Sequence, residues 1–386
     1  MPKRFENRKL SKIASHSDFS KGRQFKDAEL EFNRTEFQRD RDRIIYSDAF
    51  KRLKHKTQVF FNAKNDHVRT RLTHTLEVAQ LARSVSRYLS LNDDLAEAIA
   101  LSHDLGHPPF GHTGEDELNN LLINEGGFDH NIQTLKIVTK LEQMYASHPG
   151  LNLTIETLDG IIKHNGPLRR VNKYIIEEIK DLQKFHFEKS PSIEAQIAAI
   201  SDDIAYNSHD LGDGLRAGFF SLSDIKSLPI VREALQKVEN KYRSINYKTK
   251  CYEIIRHFLN YLVTNVIDES SKRLSLIKGN NLETLENDKL KLIDFNKNTK
   301  QSLELIRKYL FENMYRSKEV VLEREKCSKV IMDLFNLYNN NLNLLPNDWQ
   351  KKIKYSKSES PKRIIGDYIS GMTDRFAINQ HKVLLN

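Results

Sequence analysis

The chain has 386 residues, of which 39% are hydrophobic and 29% are charged, and its formal net charge is +9. This length and composition favour a globular protein with a sizeable core over a disordered chain. The sequence contains no apolar run of about 18 residues, the length that a membrane-spanning helix needs, and the N-terminus lacks an apolar secretory segment. Cys251 and Cys327 are far apart and lack metal-ligand spacing, so we expect a cytoplasmic protein without disulfides.

The N-terminal part of the chain is the most basic. Residues 1–70 contain 18 Lys or Arg and 10 Asp or Glu. Such a surplus predicts an anionic partner, such as nucleic acid or nucleotide phosphates. A solvated basic surface is an equally good explanation.

Apolar residues recur every three to four positions along much of the chain, which is the period of amphipathic helices. The pattern predicts helices at 72–89, 94–104, 191–208, 230–240, 250–274, 300–315, 318–340 and 361–378, with Lys- and Asn-rich loops at 278–300 and 343–360. No alternating pattern is long enough to build a sheet. We therefore predict an all-α fold with a basic N-terminal segment at 1–65 packed on the core, a helical core at 66–220 and a helical C-terminal region at 221–386.

The segment 101-LSHDLGHPPFGHTGE-115 contains three histidines, one aspartate and one glutamate around two prolines. Proline and glycine interrupt helices, so the predicted helix 94–104 should end here. At a helix end, His103 and Asp104 can both lean towards one ion. Together with His74 on an earlier helix and Asp202 on a later one, they form a set of two histidines and two carboxylates. This set suits a divalent transition metal such as Mn²⁺, and Mg²⁺ binds nitrogen more weakly.

Asp202, Tyr206 and Asp210 follow one another at four-residue steps, so they share one helix face. This face could be an ordinary polar surface. It could also form a wall for a sugar ring, because carboxylates accept hydrogen bonds from hydroxyls and tyrosine packs against ring carbons.

The order His74, His103-Asp104, Asp202 resembles the H…HD…D signature of the HD-domain phosphohydrolase superfamily. Within it, the chain resembles the deoxyguanosinetriphosphate triphosphohydrolase family. The matching segments are 41-RDRIIYSDAFKRLKHKTQVF-60, 66-DHVRTRLTHTLEVAQLAR-83, 101-LSHDLGHPPFGHTGE-115, 127-GFDHNIQTLKIVT-139, 158-LDGIIKHNGP-167, 201-SDDIAYNSHDL-211 and, more weakly, 367-DYISGMTDRFA-377. The resemblance implies an HD-domain helical core with a helical C-terminal extension. It also implies hydrolysis of dGTP or other dNTPs at the α-phosphate, giving a deoxynucleoside and inorganic triphosphate.

The resemblance also implies roles for single residues. The metal, Mn²⁺ or Mg²⁺, would be held by His74, His103, Asp104 and Asp202. His112 and Glu115 would form the catalytic pair, with His107 and His130 as further active-site histidines. The substrate would be bound by Gln58, Arg71, Lys163, Tyr206, Asp210 and Tyr315. A histidine that titrates near neutrality can protonate the leaving 5′-oxygen, which agrees with the role implied for His112.

The sequence is compatible with more than one function. In 309-YLFENMYRSKEVV-321, Ser317 stands where the family leads us to expect a histidine, and Tyr315 could equally be a core residue. The chain resembles the shorter branch of the family rather than the dGTP-specific enzymes, which leaves the base preference open. An HD-type phosphodiesterase or 5′-nucleotidase would use the same metal ligands. A nucleic-acid-binding factor that uses the basic N-terminal region is the alternative from another class.

The expected partners are a dNTP substrate, single-stranded DNA or a nucleotide effector, and further copies of the chain in a homo-oligomer such as a hexamer. No membrane is expected among the partners.

Overall fold

The computed structural model describes residues 9–27, 33–58, 69–172, 175–176, 184–276 and 291–385. Helices and the turns that join them make up the secondary structure of these residues, apart from two isolated bridges, Arg23–Thr154 and Thr57–Thr70. The predicted all-α fold is therefore confirmed. No described helix combines the length and the apolar character that crossing a bilayer demands.

The described residues of the N-terminal half form seven α-helices. They are α1 Glu36–Tyr46, α2 Asp48–Arg52, α3 Arg71–Tyr88, α4 Asp93–Ser102, α5 His112–Leu121, α6 His130–Lys136 and α7 Ile155–Ile162. The break between α4 and α5 confirms that the histidine-rich segment 101–115 is not one regular element.

Nine further helices follow in the described part of the chain. They are α8 Ile193–Ala217, α9 Leu222–Ile225, α10 Pro229–Lys241, α11 Tyr247–Ser275, α12 Lys297–Leu310, α13 Lys318–Asn340, α14 Asn347–Tyr355, α15 Pro361–Ser370 and α16 Asp374–Leu385. A π-helical turn, Phe311–Tyr315, extends α12, and another, Ile137–Leu141, extends α6.

Several helix predictions need correction. The predicted helix 361–378 is two helices, α15 and α16, separated at residues 371–373, and the predicted loop 343–360 contains helix α14. The predicted helix 191–208 is longer and ends at Ala217. Most of the predicted loop 278–300 and the predicted boundary at residues 65 and 66 lie outside the described residues, and the division into domains stays a prediction.

The helices that carry the metal-ligand candidates begin at well-formed caps. The side chain of Thr70 accepts a hydrogen bond from the backbone of Thr73 and so caps α3, while Asn92 caps α4 and Ser192 caps α8 in the same way. Each cap satisfies a backbone N–H group that the first helical turn leaves without a partner.

Two hydrophobic clusters hold the fold together. In the first, α3 packs against α4 and α8, and α4 also packs against α1 and α7. In the second, Leu118 and Leu122 of α5 and the segment just after it pack against residues of α13, α15 and α16, such as Ile331 and Ile369. The histidine-rich segment 101–115 lies where these two clusters meet, because it joins α4 of the first cluster to α5 of the second.

Candidate active site

The first cluster of chemical groups lies where α3, the end of α4 and α8 come together. One ligand atom each from His74, His103 and Asp202 lies within 4.8 Å of the others. Nε2 of His74 is 2.9 Å from Oδ1 of Asp202, and Nε2 of His103 is 3.7 Å from the same oxygen. The fold thus brings together three of the four residues predicted to hold a metal.

The fourth residue, Asp104, lies at the edge of this cluster. Its Oδ1 is 3.6 Å from Nε2 of His103, accepts a hydrogen bond from Arg71 at 2.8 Å and lies 2.9 Å from Nδ1 of His107. Its Oδ2 is buried without a hydrogen-bond partner among the described residues. Asp104 therefore joins the metal-ligand candidates to Arg71 and His107, two of the other predicted site residues.

The adjacent Asp203 points away from the cluster. Its carboxylate forms an ion pair with Arg307 of α12, at 2.5 Å, while Asp202 faces His74. The two neighbouring carboxylates diverge because successive residues of a helix are about 100° apart around its axis.

Electrostatics keep the carboxylates of this cluster ionised. Burial alone would raise their pKa values, but Arg71 and His103 hold the pKa of Asp104 well below its usual range. The side chain of Asp202 is 29% exposed, and its pKa is also well below the usual range, because the attraction of His103, His164 and His74 outweighs desolvation. For His103, burial opposes protonation, yet Asp104 and Asp202 raise its pKa.

The donor set fits a divalent metal ion. Nε2 of His103 and Oδ2 of Asp104 are buried polar atoms without a hydrogen-bond partner in the described part of the chain. Such atoms are costly to leave unpaired, and a cation would satisfy both. Mixed imidazole and carboxylate ligands suit Mn²⁺ and its neighbours in the transition series. His74, His103, Asp104 and Asp202 are therefore the residues that could hold the metal.

A strained turn separates the metal-ligand candidates from the predicted catalytic pair. Phe110 and Gly111 have φ angles of 64° and 57°, and α5 begins at the next residue, His112. A Cβ atom on Gly111 would lie 2.7 Å from Nη2 of Arg71. Glycine is thus required at this position both for its backbone conformation and for the close approach of Arg71.

The second cluster combines Glu115 with three histidines. Glu115 Oε2 is 3.2 Å from Nδ1 of His112, and Oε1 is 2.7 Å from Nδ1 of His130. The rings of His130 and His107 stack with centroids 3.9 Å apart. The side chain of His112 is 66% exposed, so its ring is open to a bound molecule. The predicted catalytic pair is within hydrogen-bond reach, and both additional histidines lie beside it.

Burial and neighbouring groups shift the pKa values of Glu115 and His107 in this second cluster. Burial would raise the pKa of Glu115, but hydrogen bonds from His112 and His130 lower it far below its usual value. Burial and the nearby Arg71 hold the pKa of His107 well below the usual range of histidine. An ionised carboxylate beside His112 can orient the imidazole and stabilise the imidazolium form, as a general acid requires.

Tyr206, Asp210 and Tyr315 form one connected group, in which Tyr206 and Asp210 lie about one and two turns after Asp202 on α8. The hydroxyl groups of Tyr206 and Tyr315 are 2.8 Å apart, and Tyr315 donates a hydrogen bond to Oδ2 of Asp210. Burial raises the pKa of Asp210 to about 7. Asp202 and Tyr206 also line a cavity of about 570 Å³ together with His164, a volume typical of small-molecule sites.

Two predicted substrate-binding residues are not brought to this group by any observed contact. Lys163 forms an ion pair with Asp159 at 2.9 Å and lines a separate cavity of about 140 Å³. Gln58 has a buried side-chain oxygen without a hydrogen-bond partner in the described ranges, and residues 59–68 after it lie outside them. The roles of both residues stay predictions.

Sequence reasoning missed His164, His209 and Glu77. His164 lies 3.5 Å from Oδ2 of Asp202 and its ring stacks on that of His103. His209 Nδ1 is 3.1 Å from Nδ1 of His74, and its Nε2 is 2.7 Å from Glu77. Burial lowers the pKa of His209. The helical period offered a signal, because His209 follows Asp202 by seven residues, or about two turns.

Comparisons with known proteins agree with this arrangement. The HD domain family matches residues 71–207, and the phosphohydrolase-associated domain matches residues 293–383. A deoxyguanosinetriphosphate triphosphohydrolase-like protein of Roseobacter denitrificans is 45% identical, with 97% of this chain and 96% of that protein covered. A protein of the same description from Brucella suis is 43% identical, with 99% and 97% covered. One from Cereibacter sphaeroides is 46% identical over 96% of this chain and 98% of its own length. The chain therefore belongs to the family of deoxyguanosinetriphosphate triphosphohydrolase-like proteins.

Proposed function

We propose that the protein hydrolyses deoxynucleoside triphosphates at the α-phosphate and releases a deoxynucleoside and inorganic triphosphate. The observation that carries this proposal is the position of two clusters on either side of Asp104. His74, His103 and Asp202 form a metal-capable group, and His112, Glu115 and His130 form an acid–base group. Asp104 and His107 connect them, with 2.9 Å between Oδ1 and Nδ1. The names of the relatives support the same substrate class.

In this proposal the two clusters have different chemical roles. A divalent cation bound by His74, His103, Asp104 and Asp202 would act as a Lewis acid towards a phosphoryl oxygen. Arg71 lies beside Asp104 and keeps two guanidinium nitrogens, Nε and Nη2, without a hydrogen-bond partner among the described residues. An arginine with unused donors is well suited to the phosphate oxygens of a triphosphate.

The proton balance of the reaction requires an acid, and His112 is the acid in this proposal. Water adds to the α-phosphorus, the bond from that phosphorus to the 5′-oxygen breaks, and the leaving oxygen needs a proton. The His112 ring is exposed and hydrogen-bonded to Glu115, so it can deliver this proton while the carboxylate stabilises the charged ring. The water proton that is left over is taken up by solvent or by a neighbouring base.

Tyr206, Tyr315 and Asp210 provide a wall for the sugar. Tyr206 lines the cavity that also contains Asp202, and its hydroxyl group is fixed by Tyr315. A wall of two tyrosines and a carboxyl group leaves hydrogen-bonding groups for a 3′-hydroxyl, and we propose that it leaves no room for a 2′-hydroxyl.

The proposal is tested by incubating the purified protein with each of the four dNTPs and four NTPs, in the presence of Mn²⁺ or Mg²⁺. Products are separated by anion-exchange chromatography. We expect inorganic triphosphate and a deoxynucleoside in equal amounts, and no turnover after the metal is removed with a chelator. Release of monophosphate or pyrophosphate would instead identify a phosphodiesterase- or nucleotidase-type reaction and overturn the proposal. A His112→Ala variant serves as the control for a contaminating enzyme.

A further inference from the structure

A chain of polar contacts leads from the metal-ligand candidates to the protein surface. Nδ1 of His74 lies 3.1 Å from Nδ1 of His209, and Nε2 of His209 lies 2.7 Å from Oε2 of Glu77. His74 and Glu77 are one turn apart on α3, whereas His209 belongs to α8. His74 is 1% exposed and His209 is 8% exposed, while the side chain of Glu77 is 50% exposed. The contacts thus join a buried ligand candidate to a carboxylate at the surface.

The direction of the hydrogen bonds between His74, His209 and Glu77 follows from the ligand role of His74. Nε2 of His74 faces Asp202, so it is the nitrogen that would bind a metal through its lone pair. The proton of the neutral ring must then be on Nδ1, which donates to Nδ1 of His209. His209 in turn carries its proton on Nε2 and donates it to the carboxylate of Glu77.

The other histidine of the cluster follows the same scheme. Nδ1 of His103 lies 2.6 Å from the carbonyl oxygen of Ala100. A carbonyl oxygen only accepts hydrogen bonds, so the proton of His103 must be on Nδ1. Nε2 of His103 is then left free, and it is buried without a hydrogen-bond partner in the described part of the chain. Both histidines therefore have Nδ1 held by an acceptor and Nε2 directed towards Asp202.

We infer that His209 and Glu77 are positioning residues that hold His74 in the ring orientation and tautomer needed for metal binding. This inference rests on the metal site of the proposed function. Groups that accept the second N–H of a ligating histidine typically contribute about 10- to 100-fold to metal affinity. His209 and Glu77 supply this acceptor from side chains, whereas His103 receives it from the backbone of its own helix.

The test compares two substitutions of His209. His209→Asn keeps a side-chain oxygen close to the former Nδ1 and can still accept from His74, but it loses the contact with Glu77. His209→Phe keeps the bulk of the ring and removes the acceptor. His257→Phe on α11 is a matched control outside the site. Mn²⁺ binding is measured on the purified full chain by electron paramagnetic resonance of the free ion, without nucleotide.

We expect His209→Phe to weaken Mn²⁺ binding by about 10- to 100-fold. His209→Asn and Glu77→Gln should weaken it by a smaller factor, and His257→Phe should leave it unchanged. Thermal melting without metal separates this effect from a general loss of stability, because a positioning role changes metal affinity more than the melting temperature of the apoprotein.

Wild-type Mn²⁺ affinity in His209→Phe overturns the inference. If this variant does not fold, Glu77→Leu decides, because leucine leaves no acceptor for Nε2–H of His209. Wild-type affinity in that variant is equally decisive against the inference. A wild-type protein that binds no divalent cation overturns both the inference and the metal site. Because nucleotide is absent from this measurement, a protein that shows the expected affinity pattern but no dNTP turnover overturns only the proposed reaction.

Discussion

Replacing Asp374 by asparagine should slow dNTP turnover, although Asp374 lies outside the HD domain match. Asp374 is the first residue of α16 and is 3% exposed. Its Oδ1 accepts a hydrogen bond from the backbone N–H of Phe110 at 3.0 Å. Its Oδ2 accepts from the backbone N–H and the hydroxyl group of Thr57, at 2.8 and 2.5 Å. The carboxylate therefore holds the turn with positive φ angles that precedes His112.

The magnitude follows from what asparagine cannot do. An amide has one oxygen, so in either orientation its NH₂ group faces at least one N–H donor that the carboxylate had bound. A hydrogen bond to a charged group contributes about 1.5–3 kcal/mol, and leaving a buried donor unpaired costs about 1–3 kcal/mol. We expect the free energy of unfolding to fall by about 2–3 kcal/mol, the middle of these ranges. A displacement of His112 by about 1 Å would also lower kcat by up to about 10²-fold.

The effect on KM should be smaller, because the hydrogen bonds of Asp374 among the described residues go to Thr57 and Phe110 and not to α3 or α8, which carry the metal-ligand candidates His74 and Asp202. Arg375→Gln is the matched control, since Arg375 is the next residue of α16 and is exposed. Steady-state kinetics and thermal melts are measured on both variants. An Asp374→Asn enzyme with lowered stability but wild-type kcat would refute the reasoning, since Asp374 would then stabilise the fold without positioning the acid.

Three further predictions address the site itself. His74→Ala should reduce the bound metal measured by elemental analysis. His112→Ala should keep the metal and lower single-turnover rates by about 10²–10⁴-fold. A wild-type rate in His112→Ala would show that another histidine is the general acid. Tyr206→Ala should either accept NTPs better or lose affinity for nucleotides, and unchanged kinetics on dNTPs and NTPs would remove the sugar wall. Burial raises the pKa of Asp210 to about 7 from 3.8. Between these two pH values the folded protein keeps a proton that the unfolded chain releases. The free energy of unfolding therefore falls as the pH rises from the lower value to the higher one. The melting temperature of the wild type should therefore fall relative to that of Asp210→Asn as the pH rises from about 4 to about 7. Parallel curves for the two proteins would contradict the assignment.

The metal-ligand candidates could be located from the sequence because local rules govern them. Proline and glycine after residue 105 end α4, which leaves His103 and Asp104 at a helix end. Helical periodicity places Asp202, Tyr206 and Asp210 on one face of α8. The choice of Asp202 over Asp203 came only from the family resemblance, since the contact that turns Asp203 away is with Arg307, 104 residues later.

The supporting residues could not be located in the same way. The bond between Phe110 and Asp374 joins residues 264 positions apart, and the bond between His74 and His209 joins residues 135 positions apart. No periodicity or spacing within one helix predicts such pairs. The break between α15 and α16 was not predicted from the sequence for a related reason. The apolar period runs through residues 371–373, yet Asp374 bonds with Phe110 and Thr57 instead of continuing α15.

These long-range bonds explain how the C-terminal helices take part in a site whose ligand candidates all lie in the HD domain. The metal-capable residues are fixed by the first hydrophobic cluster, through α3, α4 and α8. The proposed acid–base residues belong to α5 and α6, and α5 packs in the second cluster together with α13, α15 and α16. Lys56 reinforces the junction, because its buried ammonium group donates to the carbonyl oxygens of His107 and Ser370, at 2.5 and 2.9 Å. The distance between the metal-capable group and the proposed proton donor therefore depends on how the C-terminal helices dock on the core. This dependence gives a physical reason why a phosphohydrolase-associated domain accompanies the HD domain in this chain.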